Sequence, residues 1–138
     1  MKAPLLIAIG IWVTAVAATA QQPAKGRARD AWTAPAEQRA RVNPLAARPE
    51  LAGGGKKLFH QRCSACHGDD LGGATRGPAL TTPRVERQTD GALFWKISSG
   101  NTRTGMPAFS FLPEAQRWQL VLYVRSYAAG AAIDPPRR

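Results

Sequence analysis

The residues best suited to chemistry lie in one short run, Cys63-Ser64-Ala65-Cys66-His67. Two thiols three residues apart on a helical turn face the same side, so each can add across one vinyl group of a single haem. The imidazole that follows directly can then reach the iron. The spacing therefore predicts one covalently bound haem c, attached through Cys63 and Cys66, with His67 as an axial iron ligand.

Three other uses of two neighbouring thiols compete with this interpretation. A redox pair of the thioredoxin type would follow a strand of a βαβ unit, and the sequence shows no such strand. A structural zinc site normally needs four ligands, and no second pair of Cys or His residues supplies them. A disulfide between the two cysteines of an exported protein is the third alternative. The motif favours haem over all three.

A low-spin haem needs a second axial ligand, and Met106 is the main candidate. It is the only methionine apart from Met1, and it lies in the loop Gly105-Met106-Pro107. An isolated methionine usually fills a core, but this one follows a haem motif and lies between glycine and proline. Its soft, neutral thioether would favour ferrous iron and raise the reduction potential relative to a second imidazole.

His60 is the rival ligand. It lies seven residues before His67 on the same predicted helix. Two turns of helix keep both imidazoles on one side, so His60 cannot reach the opposite face of the haem. We therefore predict that His60 is a surface residue.

The N-terminus has the pattern of a secretory signal. Lys2 precedes an apolar run over residues 5–13, and the run ends in the small residues Ala18-Thr19-Ala20. This pattern predicts a signal peptide over residues 1–20 and export to the periplasm. The alternative is an uncleaved membrane anchor, because no charge lies between Lys2 and Lys25, and membrane contact is expected only in that case.

Length and composition limit the remaining possibilities. A chain of 138 residues with 44% hydrophobic residues suits one modest domain. The formal net charge of +10 is compatible with nucleic acid, an acidic protein, an anionic membrane or an anionic cofactor. The basic residues are scattered and an exported haem protein rarely meets nucleic acid, so we do not expect nucleic acid to be a partner. We instead expect the positive charge to attract redox partner proteins that have an acidic surface. The arginines that would form this docking surface are Arg62, Arg76, Arg84, Arg87 and Arg103.

The chain divides into an arm, a domain and a tail. Residues 21–50 contain four prolines and little apolar periodicity, which predicts an extended, poorly ordered arm with one short helical turn near residues 36–41. The domain is predicted to span residues 51–128. The end of the chain, residues 129–138, is predicted to be a flexible tail.

Three helices are predicted within the domain, so the fold class is all-α. The first follows Gly53-Gly54-Gly55 and carries Phe59, Cys63 and Cys66 on one face. The second begins at a capping Asp90 and ends before Gly100, and the third has Pro113 in its first turn and runs to about Ala128. Residues 68–89 and 100–112 are predicted to be long loops.

These motifs together resemble a class I c-type cytochrome, in particular the small bacterial periplasmic cytochromes with one haem held by His and Met. The motifs are Gly55-x-x-x-Phe59-x-x-x-Cys63-x-x-Cys66-His67, Gly77-Pro78-Ala79-Leu80, Gly105-Met106-Pro107 and Leu120-x-x-Tyr123. The resemblance covers about residues 51–128. It implies the cytochrome c fold, with three main helices and long loops packed around one covalently bound haem.

The resemblance also implies roles for individual residues. Gly55 and Phe59 would pack against Leu120 and Tyr123 where the first and last helices cross. The carbonyl group of Pro78 would hold the second nitrogen of His67. Trp95 would contact the haem and Asn101 would lie near its propionates or the Met106 loop, although core packing and a turn explain these two residues equally well.

The function implied is that of an electron carrier rather than an enzyme. Single electrons would pass from a dehydrogenase or respiratory donor to a downstream acceptor, through a monomer or a subunit of a redox complex. The alternative is a haem enzyme or a gas or redox sensor in which a ligand displaces Met106. The loop from Pro107 to Phe111 is mostly apolar, which disfavours a polar distal pocket.

Overall fold

Helices account for the regular secondary structure between residues 32 and 128, the part of the chain that the computed structural model describes. The all-α prediction is confirmed. The predicted signal segment, the first residues of the arm and the predicted tail lie outside the described residues. No helix within residues 32–128 is both long enough and apolar enough to cross a membrane.

Six α-helices follow one another along this part of the chain. They are α1 (Ala36–Arg39), α2 (Ala52–Arg62), α3 (Ser64–His67), α4 (Pro83–Glu86), α5 (Asp90–Ser99) and α6 (Glu114–Ala128). Short 3₁₀ turns occupy Pro49–Leu51 and Thr102–Thr104. The three predicted helices correspond to α2 with α3, to α5 and to α6, and both predicted loops contain one additional short helical turn.

Helices α2 and α6 cross at Gly55. A Cβ atom on Gly55 would lie 2.0 Å from the carbonyl oxygen of Gln119 and 3.0 Å from Cβ of Tyr123, so only glycine permits this approach. One turn further, the rings of Phe59 and Tyr123 lie 5.3 Å apart. Leu120 is buried in the same core. The structure thus shows the helix pairing that the resemblance implies.

Helix α5 begins one residue earlier than its predicted cap implies. The Thr89 hydroxyl accepts a hydrogen bond from the amide of Ala92 at 3.2 Å, so Thr89 is the capping residue and the prediction of Asp90 was wrong. Asp90 is the first helical residue, where its negative charge suits the helix dipole. Its carboxylate accepts a hydrogen bond from Arg125 Nε at 2.8 Å, which ties α5 to the end of α6.

One hydrophobic core joins the three longer helices and the loops between them. Phe94 of α5 stacks on Trp118 of α6 with ring centroids 4.0 Å apart. The remaining buried members of this core cluster are Phe59, Leu71, Leu93, Phe109, Leu112, Leu120, Val121, Tyr123 and Val124. The loops therefore contribute Leu71, Phe109 and Leu112 to the same core, and these three side chains fix the loops onto the helices.

Residues 32–50, which we call the N-terminal strap, differ from the predicted poorly ordered arm. The predicted helical turn is present as α1, and α1 packs against α5. The strap is held by tertiary contacts. Asn43 is 2% exposed, and its amide donates to the carbonyl oxygen of Trp118 at 3.2 Å. The Arg41 guanidinium lies 4.5 Å from the centre of the Phe94 ring and pairs with Glu114. These contacts order a segment whose own sequence favours no regular structure.

Candidate haem site

The motif lies on its own turn of helix. Helix α2 ends at Arg62, and Cys63 leaves helical geometry with φ −122° and ψ −34° before α3 begins. The amides of Cys66 and His67 both bond to the carbonyl oxygen of Cys63 at 3.0 Å. The single continuous helix predicted for this region was therefore wrong. The break at Cys63 redirects the chain and places the second thiol and the imidazole on one short turn.

Neither cysteine forms a disulfide, and both side chains are half-buried. Burial raises the pKa of the Cys63 thiol to about 11, and the neighbouring Cys66 adds to this effect. Redox-active cysteines need a lowered pKa because the thiolate is the nucleophile. The environment of Cys63 is thus the opposite of a thioredoxin-type site. Within residues 32–128, no group of three or more His, Cys, Asp or Glu side chains lies together so as to hold a bare metal ion.

The imidazole of His67 is held by the loop that follows it. Its Nδ1 lies 2.8 Å from the carbonyl oxygen of Pro78. A carbonyl oxygen only accepts hydrogen bonds, so Nδ1 must carry a proton, and in the neutral imidazole the lone pair then lies on Nε2. This is the tautomer that can ligate iron through Nε2. The two free thiols and this imidazole are the donor set that covalent attachment of haem requires, so the residues fit the group.

Leu71 fixes the loop that brings Pro78 to His67. Its side chain is fully buried, and its backbone adopts φ 58°, a left-handed conformation that is unfavourable for leucine. The carbonyl oxygen of Leu71 accepts a hydrogen bond from the amide of Leu80 at 2.8 Å, and that of His67 accepts one from Gly73. Burial of Leu71 thus holds a strained turn that positions the carbonyl group of Pro78.

Met106 lies at the end of a closed loop. Asn101 and Met106 exchange two backbone hydrogen bonds, of 2.8 Å to the carbonyl oxygen of Met106 and 3.0 Å to that of Asn101. Gly105 precedes Met106 in the left-handed conformation. The methionine is half-buried and packs against the core cluster. Asn101 is therefore a backbone neighbour of Met106, whereas its relation to a propionate stays a prediction.

The other singled-out residues lie on the helices. His60 is an exposed residue, as predicted, and its Nδ1 lies 3.1 Å from the Asp69 carboxylate. Hydrogen bonds from His60 and then Ser64 hold the pKa of Asp69 below its ordinary value. Trp95 is half-buried on α5, and its contact with haem stays a prediction.

Two residues near the site were missed by the sequence analysis. The role of Leu71 could not be predicted, because nothing in the sequence Leu71-Gly72-Gly73 indicates a leucine in the left-handed conformation. Trp32 was also missed, although a lone tryptophan in a proline-rich segment is a large apolar group that needs a place to pack. Its indole Nε1 donates a 2.7 Å hydrogen bond to the carbonyl oxygen of Gly100, next to the Met106 loop.

Comparison with known proteins gives one family. Residues 50–124, more than half of the chain, match the family described as cytochrome c oxidase, cbb3-type, subunit III. The match includes the Cys63–His67 motif, Pro78 and Met106. Comparisons with curated proteins and with solved structures gave no match. The chain therefore belongs to the cbb3-type cytochrome c oxidase subunit III family and contains a c-type cytochrome domain that carries covalently bound haem c.

Proposed function

We propose that the chain is a monohaem electron carrier in which His67 and Met106 are the two axial ligands of the iron. A c-type cytochrome domain indicates haem-based electron transfer, and haem supplies a one-electron ferric and ferrous couple when bound. The observation that carries the proposal is the 2.8 Å contact between His67 Nδ1 and the Pro78 carbonyl oxygen. That contact orients the His67 ring and directs Nδ1 to the carbonyl group, so that Nε2 is the nitrogen left to face the iron.

The other residues of the site have separate tasks. Cys63 and Cys66 would hold the cofactor covalently, so that it is not lost outside the cell. The Pro78 carbonyl group would raise the basicity of His67 as well as fix its orientation. Met106 would stabilise the ferrous state through its neutral sulfur. If His67 and Met106 both bind the iron, no position would remain for a substrate, which favours a carrier over an enzyme.

We further propose that the carrier works in the periplasm, between a dehydrogenase or respiratory donor and a downstream acceptor. The signal-like N-terminal sequence supports export. The family name refers to a subunit of a respiratory oxidase, which favours a respiratory complex at one end of the transfer. The chain would act as a monomer or as a subunit of such a complex.

Absorption spectroscopy of the purified holoprotein tests the axial ligands. We expect one covalently bound haem per chain and a weak sulfur-to-iron charge-transfer band at the red end of the oxidised spectrum. The reduced protein should bind carbon monoxide poorly, because Met106 fills the sixth position. A high-spin oxidised spectrum with ready carbon monoxide binding would instead support a haem enzyme or a gas sensor.

The positive charge supports docking of an acidic partner. Arg62, Arg76, Arg84, Arg87 and Arg103 are all exposed. Arg76 lies on the loop that carries Pro78, and Arg103 lies on the loop that carries Met106. Charges of this kind accelerate association with an oppositely charged protein at low ionic strength.

The rate of electron transfer to an acidic partner is therefore expected to fall about tenfold as ionic strength rises from low to physiological values. Stopped-flow measurements across a salt series would show this. Replacing Arg76 and Arg103 together by glutamine should flatten the salt dependence. Arg48→Gln is the matched control, because Arg48 is exposed but forms an ion pair with Glu50 within the strap. A wild-type rate that does not change with salt would contradict electrostatic docking.

A further inference from the structure

The N-terminal strap reaches the Met106 loop through Trp32. The indole Nε1 donates a 2.7 Å hydrogen bond to the carbonyl oxygen of Gly100, a residue 68 positions later in the chain. The Lys96 ammonium group of α5 lies 4.7 Å from the centre of the indole ring, within cation–π distance. Trp32 thus joins the strap, the end of α5 and the start of the loop.

The carbonyl group of Gly100 depends on Trp32 for a good hydrogen bond. The Ser99 hydroxyl lies 3.4 Å from the same oxygen, but it also lies 2.8 Å from the carbonyl oxygen of Trp95. A hydroxyl group has one proton to donate, and the shorter contact takes it. The indole N–H is therefore the principal donor to Gly100.

Gly100 is in direct contact with both sides of the Met106 loop. A Cβ atom on Gly100 would lie 2.5 Å from the carbonyl carbon and oxygen of Pro107, so its backbone rests on the residue after Met106. The next residue, Asn101, exchanges both backbone hydrogen bonds with Met106. A displacement of Gly100 would consequently disturb Met106 in two ways, through the contact with Pro107 and through the hydrogen bonds of Asn101.

The rest of the strap holds Trp32 in place. Asn43 is anchored to the carbonyl group of Trp118, and Arg41 is anchored to Phe94 and Glu114. Ala34, two residues after Trp32, is buried. The indole is therefore presented by a packed segment, so that little conformational freedom has to be lost when its hydrogen bond forms.

We propose that Trp32 is a positioning residue for Met106: its hydrogen bond to Gly100 keeps the loop closed and holds the thioether in place against competing ligands. This inference rests on the proposed ligation by Met106. On this proposal the N-terminal strap stabilises binding of Met106 to the iron, because it holds the loop that supplies this ligand in its closed conformation.

The test compares the holoprotein with its Trp32→Phe variant. Phenylalanine keeps an aromatic ring beside Lys96 but removes the N–H donor. Binding of imidazole to the ferric protein requires Met106 to leave, so loss of one hydrogen bond should strengthen imidazole binding about fivefold. Hydrogen exchange of the Asn101 and Met106 amides should accelerate by a similar factor, while exchange of the Val121 and Tyr123 amides in α6 stays unchanged.

Lys96→Met is the matched control. It removes the cation–π contact and leaves the indole N–H, so imidazole affinity and loop exchange should remain close to wild type. Unchanged values in Trp32→Phe would overturn the role of Trp32. Equal acceleration in the loop and in α6 would also overturn it, because Trp32 would then only stabilise the whole fold. A wild-type protein without the sulfur-to-iron band would instead overturn the ligation by Met106 itself.

Discussion

Replacing Gly55 by alanine is expected to destabilise the protein by about 3 kcal/mol or more. The added methyl group would lie 2.0 Å from the carbonyl oxygen of Gln119. That oxygen belongs to the backbone of α6 and cannot rotate away, so the two helices would have to separate. The separation would weaken the contact between Phe59 and Tyr123 and loosen the core beside the haem motif. Chemical unfolding of the holoprotein, followed by far-ultraviolet circular dichroism, measures the loss.

Two neighbouring glycines provide matched controls on the same helix. A Cβ atom on Gly53 would meet nothing within 4 Å, so Gly53→Ala should stabilise the protein by about 0.5–1 kcal/mol through the better helix propensity of alanine. A Cβ atom on Gly54 would lie 2.8 Å from Oε1 of Gln119, at the flexible end of a side chain that can move aside. Gly54→Ala should therefore have a small effect. If Gly55→Ala were as stable as Gly53→Ala, the close helix crossing would be wrong.

The pairing of α2 with α6 could be predicted only through the resemblance to class I c-type cytochromes. Gly55 and Phe59 lie one turn apart on α2, and Leu120 and Tyr123 lie three residues apart on α6, so the repeat of each helix brings its pair onto one face but does not identify the partner helix. The covalent attachment site, in contrast, could be predicted from local spacing. Cys63, Cys66 and His67 are close in sequence, and their spacing alone limits the cofactor.

The strap could not be predicted, because its contacts are distant in sequence. Trp32 bonds to a residue 68 positions away and Asn43 to one 75 positions away. Composition favoured disorder, since prolines remove hydrogen-bond donors and the segment has no periodic apolar face. A single buried asparagine and one tryptophan are enough to reverse that tendency once α5 and α6 offer partners.

The shape of the loop between His67 and Pro78 was equally inaccessible. Its position depends on Leu71 in a left-handed conformation that leucine rarely adopts. Only burial of that side chain in the completed core compensates for the strain. The motif predicted His67 as a ligand and the resemblance predicted Pro78 as its carbonyl partner, whereas the strained turn that brings these two residues together is a consequence of tertiary packing.

Replacing Met106 by leucine is expected to change the site completely while leaving the fold intact. Leucine keeps the apolar volume that packs against the core cluster, so stability should fall by less than about 1.5 kcal/mol. Leucine cannot ligate iron, so the sulfur-to-iron band should vanish and the ferrous protein should bind carbon monoxide. Phe111→Ala is the control on the same loop, because Phe111 is 67% exposed and its loss should leave both properties unchanged.

Met106→His tests the chemical identity of the sixth ligand, because histidine also ligates iron but through an imidazole. Imidazole favours ferric iron relative to a thioether, so the reduction potential should fall. A tenfold shift in the ferric-to-ferrous preference corresponds to about 59 mV for one electron, and we expect at least that decrease in a potentiometric titration. A Met106→Leu protein that keeps the charge-transfer band would contradict ligation by Met106. Loss of the band in Met106→Leu, together with a lower potential in Met106→His, would show that the methionine both closes the site and sets its potential.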